Sequence, residues 1–335
     1  MPSLRSTLLN FTTRQMMRFI FRRERPVTAY RAVFARLDPK RPMPAGITIE
    51  DIDLPRTGRW LRNSASTSPQ AILYLHGGAF SMRLLNGHSA MVGDFCARSG
   101  ASAFMPFYRL APEHPFPAAP DDCLAAYRYL LDSGHHAKDI VVMGDSAGAS
   151  LSLVLLHLIK REGLPMPSGV IALSPITDAA QISATWRQNR HLDPMYVVQA
   201  HVNPARWYFA GQHPMNPVIS PYYGDLSGFP PFYLMVGGVE ALLDDSIGMV
   251  RKAVESGIPA KVQVWRGMPH VFPLIDFLPE AKLARVEITQ WLAALRNSPA
   301  QSSREDLWKS SVEWCDLKAI THRLLRETNE VYFRF

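Results

Sequence analysis

An α/β fold, with a mainly parallel sheet covered by helices on both faces, is what this chain predicts. Short apolar or alternating runs bounded by Gly, Pro and Asp alternate with stretches of helical spacing, a β-then-α rhythm that parallel sheets require. With 335 residues, 47% of them apolar, the chain can bury a core large enough for one elaborated domain.

The runs fall in order at residues 47–54, 71–75, 102–107, 140–143, 170–173, 232–236 and 262–265. Between them, helices are predicted over 90–98, 120–131 and 146–160, and later over 245–255 and 279–295. The third shows the reason most clearly: Leu151, Val154, Leu155, Leu158 and Ile159 recur at the spacing of one buried helix face. Residues 46–296 are therefore expected to form the main body.

Two segments break the rhythm. Residues 1–45 carry ten Lys or Arg against two acids, a local charge of +8 within a total of +7, so the rest is near neutral at about −1 and is not a nucleic-acid binder. Met16, Met17, Phe19, Ile20 and Phe21 interleave there with Arg14, Arg18, Arg22, Arg23 and Arg25. A helix covering the protein's own pocket is preferred over one lying on an anionic membrane surface, because the run is short and Pro26 ends it. The second segment, 178–217, carries Trp186, Met195, Trp207, Tyr208 and Phe209 and is read as a cap insert over the site.

Residues 297–335 begin polar and then show an amphipathic pattern around Trp308, Val312, Trp314, Leu317 and Ile320. An extra helix against the body and a partner-binding tail are both open readings. Cys96, Cys123 and Cys315 are widely spaced and odd in number, against a disulfide framework or a C-x-x-C metal site. No uninterrupted apolar stretch of about 18 residues is present, nor a leader-like core with a cleavage site, so a cytoplasmic enzyme is expected.

Chemistry enters with Gly144-Asp145-Ser146-Ala147-Gly148, directly after the apolar run at 140–143. A strand ending in a sharp turn before a helix presents a serine nucleophile, and glycines on both sides give the turn room. A serine hydroxyl needs an imidazole to take its proton and a carboxylate to orient that imidazole. In this strand order the acid and then the histidine should follow the serine. His270 sits past the strand at 262–265 beside Gly267 and Pro269, whereas His88, His135, His136, His157 and His213 read as surface or helix residues. The loop at 237–245 holds two acid candidates, Glu240 and Asp244. Upstream, His76-Gly77-Gly78-Ala79 closes the strand at 71–75, where backbone N–H groups can face a developing oxyanion. Asp145 adjoins the serine but points away in such a turn and reads as structural.

These motifs, with Tyr108-Arg109-Leu110-Ala111-Pro112-Glu113-His114-Pro115-Phe116-Pro117-Ala118-Ala119, resemble the hormone-sensitive-lipase-like branch of the α/β-hydrolases over roughly residues 73–272. The resemblance implies the α/β-hydrolase fold, a mainly parallel eight-stranded sheet with a helical cap, and a carboxylesterase acting on short to medium acyl esters. Its oxyanion hole carries over to Gly77, Gly78, Ala79 and Ala147, with Gly78, Ala79 and Ala147 as donors and Gly77 shaping the turn. The family's usual third glycine is replaced by Ala79, whose N–H survives. The family's Asp-Pro-Leu pattern, laid over this loop, puts Glu240 at the catalytic position and Asp244 at a later acid, so the implied triad is Ser146, His270 and Glu240.

No metal or organic cofactor is expected, because clustered ligands and a phosphate-cradling Gly-rich loop are missing from the pattern. A lactone is an internal ester, so lactone hydrolysis at the same site is the alternative activity. A non-catalytic small-ligand-binding protein is the alternative from another class, and it would require a lost catalytic residue. Pairing of copies as a homodimer is an expectation by family analogy only.

Overall fold

The computed structural model describes residues 2–53, 57–195, 205–209, 211–297 and 312–315. Helices α1 (Leu4–Ile20) and α2 (Val27–Arg36) precede the sheet, which opens with strands β1 (Ile47–Ile52), β2 (Gly58–Asn63) and β3 (Ala71–Leu75). There follow α3 (Asn86–Ser99), β4 (Ser102–Pro106), α4 (Ala118–Asp132), β5 (Ile140–Asp145), α5 (Ala147–Arg161) and β6 (Gly169–Leu173). Two short helices, α6 (Ala184–Gln188) and α7 (Ala205–Phe209), lie in the insert. The body resumes with β7 (Phe232–Gly237), α8 (Leu243–Glu255), β8 (Ala260–Trp265), α9 (Pro279–Asn297) and β9 (Val312–Cys315).

The strands form one sheet in the order β1-β2-β4-β3-β5-β6-β7-β8-β9. The β1–β2 and β2–β4 pairings are antiparallel, and every pairing from β4 through β9 is parallel. The parallel strands are buried on both faces, and their side chains alternate between two cores. In β5, Ile140 and Val142 join the core under α4, α5 and α8, whereas Val141 and Met143 join the core under α3 and α9. Each such side chain contributes about 1.5–3 kcal/mol by leaving water.

The eight strands implied by the family resemblance are present as β1–β8, and a ninth is added. The run expected at 47–54 is half of a hairpin: β1 ends at Ile52, and β2 pairs with it from Gly58. Sequence reading passes over β2 because Arg59, Arg62 and Asn63 interrupt its apolar pattern. In the amphipathic pattern beyond residue 297, Val312–Cys315 is a strand pairing parallel with β8, which corrects the helical reading for those four residues. Trp308, Leu317 and Ile320 lie outside the described residues. Among the described residues, no helix is long and apolar enough to cross a membrane.

Two polypeptide layers sit over the C-terminal ends of the strands. From α1, Met17 and Ile20 turn inward with Phe21, meeting Val27, Tyr30 and Met82 in a separate apolar cluster. Arg31 of α2 pairs with Glu113 at 2.7 Å and donates to the carbonyls of Ser81 and Ala111. From the insert, Tyr208 of α7 stacks on Phe80 with ring centroids 3.9 Å apart.

Candidate active site

A single residue separates β5 from α5, and that residue is Ser146, held at φ 50° and ψ −121°. A non-glycine residue in such a region costs of order 1–3 kcal/mol and persists where surrounding contacts over-determine it. Here its N–H donates to the Leu173 carbonyl of β6 at 2.8 Å. The flanking glycines let three chain segments touch: a Cβ on Gly144 would overlap the Gly148 carbonyl, and one on Gly148 would overlap the Leu75 carbonyl of β3.

The Ser146 hydroxyl lies 2.8 Å from Nε2 of His270, in the loop after β8. Nδ1 of the same ring lies 2.8 Å from Oε2 of Glu240, in the loop after β7. Glu240 is fully buried, and its Oε1 accepts from the Ser174 hydroxyl at 2.7 Å and from the Gly237 N–H at 2.5 Å. With Nδ1–H donating to the carboxylate, Nε2 is left as an acceptor facing the serine. Burial alone would push the imidazolium down. The charge and hydrogen bond of Glu240, reinforced by Asp193 and Asp145, outweigh that effect and raise His270 above its ordinary value.

Asp244 lies in the first turn of α8 and serves the insert. Its Oδ2 accepts from the Thr185 N–H, and its own N–H donates to the Thr185 hydroxyl, both at 2.9 Å. Of the two acids in that loop, Glu240 is therefore the one the fold brings to His270.

After β3, Gly78, Ala79 and Phe80 have φ of 117°, 52° and 58°, which folds the chain back until Ser81 and Met82 donate to the Gly78 carbonyl. The Gly77 N–H donates to Asp145 Oδ1 at 2.9 Å, so Gly77 anchors the turn. Among the described residues, the N–H groups of Gly78, Ala79 and Ala147 donate to no protein acceptor. The left-handed φ of Ala79 accounts for the glycine usual there, since a Cβ costs roughly 1–2 kcal/mol in that region.

Asp145 ties this turn to the serine. Besides Gly77, its carboxylate accepts from the Tyr74 hydroxyl at 2.6 Å and faces Nε2 of His88 at 3.3 Å. The Leu85 N–H donates to Nδ1 of His88, which leaves Nε2 as the proton carrier toward Asp145. Burial pushes the Asp145 carboxyl up, but His88, Tyr74 and the Gly77 N–H together hold it below its ordinary value. Burial, with His88 second, pushes His76 down to about 4, so this ring packs neutral against Tyr108 at 4.3 Å.

A cavity of about 550 Å³ opens beside the His76–Tyr108 stack, lined also by Arg31, Arg59 and Arg83. Ser146, Glu240 and His270 are not among its lining residues, whereas His76, which precedes the oxyanion turn, is.

Residues 72–274 match a family model described as alpha/beta hydrolase fold. The chain belongs to the α/β-hydrolase family. An esterase of Acinetobacter venetianus is 35% identical to this α/β-hydrolase over 240 residues, 71% of this chain and 79% of the relative. An acetyl-hydrolase of Streptomyces hygroscopicus is 34% identical over 229 residues, 68% of this chain and 76% of the relative. Among solved structures, the esterase EstE5 soaked with p-nitrophenyl butyrate aligns with a TM-score of 0.81 at 33% identity, covering 88% of this chain and 100% of that one. An esterase from the bacterial hormone-sensitive lipase family gives 0.80 at 31% identity, with coverage of 89% and 100%. This α/β-hydrolase falls in the hormone-sensitive-lipase-like branch and is a carboxylic ester hydrolase of the serine type.

Several groups around its site carry no motif of their own. Ser174 sits at φ 52° just after β6. Its hydroxyl donates to Glu240 and accepts from the Val271 N–H at 3.1 Å, so it spans the acid and the residue next to His270. The insert of this α/β-hydrolase adds Asn189, whose side-chain amide donates to the Glu240 carbonyl at 2.9 Å, and Asp193, which accepts from the Ala241 N–H at 2.9 Å. A strand-end serine followed by proline was the sole local hint of Ser174; Asn189 and Asp193 leave no hint, since their partners lie about fifty residues away.

Proposed function

We propose that this ester hydrolase works by two-step acyl transfer through Ser146, His270 and Glu240, on short to medium acyl esters. The reading rests above all on the unbroken hydrogen-bond line from the Ser146 hydroxyl through both ring nitrogens of His270 to Glu240.

In the first step His270 Nε2 takes the Ser146 proton as Oγ bonds to the ester carbonyl carbon, and the carbonyl electron pair moves onto oxygen. The resulting oxyanion is held by the N–H groups of Gly78, Ala79 and Ala147, where removal of one donor typically costs about 10²- to 10³-fold in rate. Collapse of this intermediate breaks the bond to the alcohol oxygen, which takes the proton back from His270. Water then repeats the sequence on the acyl-enzyme and releases the acid. Glu240 keeps Nδ1 protonated and stabilises the imidazolium between these transfers.

The limit on acyl length rests on the aromatic wall that follows the oxyanion turn. Phe80 is buried against Tyr208 and lies 5.8 Å from Phe209, leaving a bulky boundary next to Ala79. The test is a series of p-nitrophenyl esters of rising acyl length alongside a γ-lactone, combined with mass mapping of a sulfonyl fluoride adduct. A rate falling beyond medium chains, slower lactone opening and an adduct on Ser146 are expected. An adduct on another residue removes the triad assignment, and preference for the lactone removes the substrate assignment.

A further inference from the structure

The first helix has two apolar faces, and the fold uses one. At 100° per residue, Leu9, Met17 and Ile20 share the inner side with Asn10. That side is pegged down: Asn10 donates to the Gly267 carbonyl at 2.9 Å, and Ser3, ahead of the helix, bonds both oxygens of Glu280. On the opposite side Leu4, Leu8, Phe11 and Phe19 fall within about 80° of the helix circumference. They are 90%, 64%, 62% and 62% exposed.

Cations border this strip. Arg18 and Arg14 lie along one edge and Arg5 along the other, Arg22 sits 5.0 Å over the Phe19 ring, and α1 itself contains no acidic residue. Two exposed apolar residues of other segments adjoin it. Arg14 donates to the Leu192 carbonyl and Arg5 to that of Phe277, and these side chains are 52% and 53% exposed. The nearest acid along the chain, Glu24, is occupied by Arg206.

We infer that the outer face of α1 docks on an anionic lipid surface. A phenylalanine- and leucine-bearing strip flanked by arginines suits the boundary between acyl chains and headgroups, where the strip leaves water and the guanidinium groups reach the phosphates. A second copy of this chain is a poorer occupant, because two-fold pairing would set these arginines against their own equivalents. The residues differ from those that sequence spacing suggested: Met17, Ile20 and Phe21 point into the protein, and Leu4, Leu8 and Phe11 replace them outside. Docking this way would turn the loops bearing Gly267 and Met82, next to the catalytic groups, toward the lipid side.

The experiment is co-sedimentation of the full chain with vesicles of phosphatidylcholine containing phosphatidylglycerol, and with phosphatidylcholine vesicles alone. Wild-type protein should pellet with the former and far less with the latter. Leu8→Ser/Phe11→Ser/Phe19→Ser should weaken binding by about 100-fold, and Arg5→Gln/Arg18→Gln/Arg22→Gln should weaken it about five-fold per arginine. Hydrolysis of dissolved p-nitrophenyl butyrate serves as the folding control and should be unchanged in both variants, because these side chains face away from the site. Wild-type protein left in the supernatant, or a serine variant that pellets as fully as wild type, overturns the inference. So does a wild-type dimer that the serine variant dissolves without any vesicle binding. Pelleting requires no turnover, so its outcome is independent of the triad assignment.

Discussion

The strand ends and the cap hold their parts of the site by different means. Below, Ser146, Ser174 and Val271 sit at φ of 50°, 52° and 49°: the amides of the two serines donate to the strand carbonyls of Leu173 and Met235, that of Val271 to the Ser174 hydroxyl, and glycines stand where chain segments touch. Above, the insert reaches the acid loop through side chains: Asn189 to the Glu240 carbonyl, Asp193 to the Ala241 N–H, Asp244 to Thr185. The lower region is fixed through its own backbone, whereas the upper one is joined by side-chain contacts that can be removed one residue at a time. Changes below should therefore be felt in turnover, and changes above in stability and its response to pH.

The largest effect is expected from Glu240→Gln, which should lower kcat/KM for p-nitrophenyl butyrate by roughly 10³- to 10⁴-fold, while Asp244→Asn stays within about three-fold. The reverse ranking would break the comparison at its base. The surviving activity carries a second readout. Reaction needs neutral His270, which Glu240 holds above its ordinary value against burial. The acid limb of the pH–rate profile should thus move to lower pH in Glu240→Gln.

Next comes Ser174→Ala. It removes one hydrogen bond to the buried carboxylate and leaves the Val271 N–H unpaired, together about 1–3 kcal/mol or roughly 5- to 150-fold in kcat. A merely structural role would lower the melting temperature and leave the acid limb where it was; a shifted limb marks positioning of Glu240.

In the cap, burial first and the Glu240 charge second push Asp193 from 3.8 up to about 6. Between those values the folded chain keeps a proton that the unfolded chain has lost, so this group's contribution to stability is lost as pH rises through about 6. Asp193→Asn does not titrate. Its melting temperature relative to wild type should therefore climb as pH goes from 4 to 7, and a flat difference would show that the peg is not under this strain. The smallest effect is that of Ala79→Gly, which relieves a left-handed alanine and should raise the melting temperature by roughly 1–2 °C with activity kept.

Legibility followed the range of the interaction. The turn around Ser146, the glycines before Ala79 and the loop holding His270 are each written in five or six consecutive residues, because local backbone geometry demands particular residue types. Strands β3 to β8 were readable for a similar reason: two-sided burial makes short apolar runs. β2 was not, since its partners at both edges allow Arg59 and Arg62 to remain partly in water. Choosing Glu240 over Asp244 needed the family pattern, as both acids have the same local surroundings in sequence. The Asp145 cluster stayed hidden because Tyr74 and His88 approach it from 71 and 57 residues away. No periodicity reports such a distance.

The parallel pairing of Val312–Cys315 along β8 has an outcome for how copies of the chain meet. An open margin of a sheet is a template for another chain, and proteins blunt such margins with very short strands and charged neighbours. Here the margin beside β8 is already taken by four residues of the same molecule, with Arg266 lying over the Trp314 ring at 5.0 Å. The terminal margin is thereby moved from the six-residue β8 to a four-residue strand, which offers fewer backbone groups for sheet extension between copies.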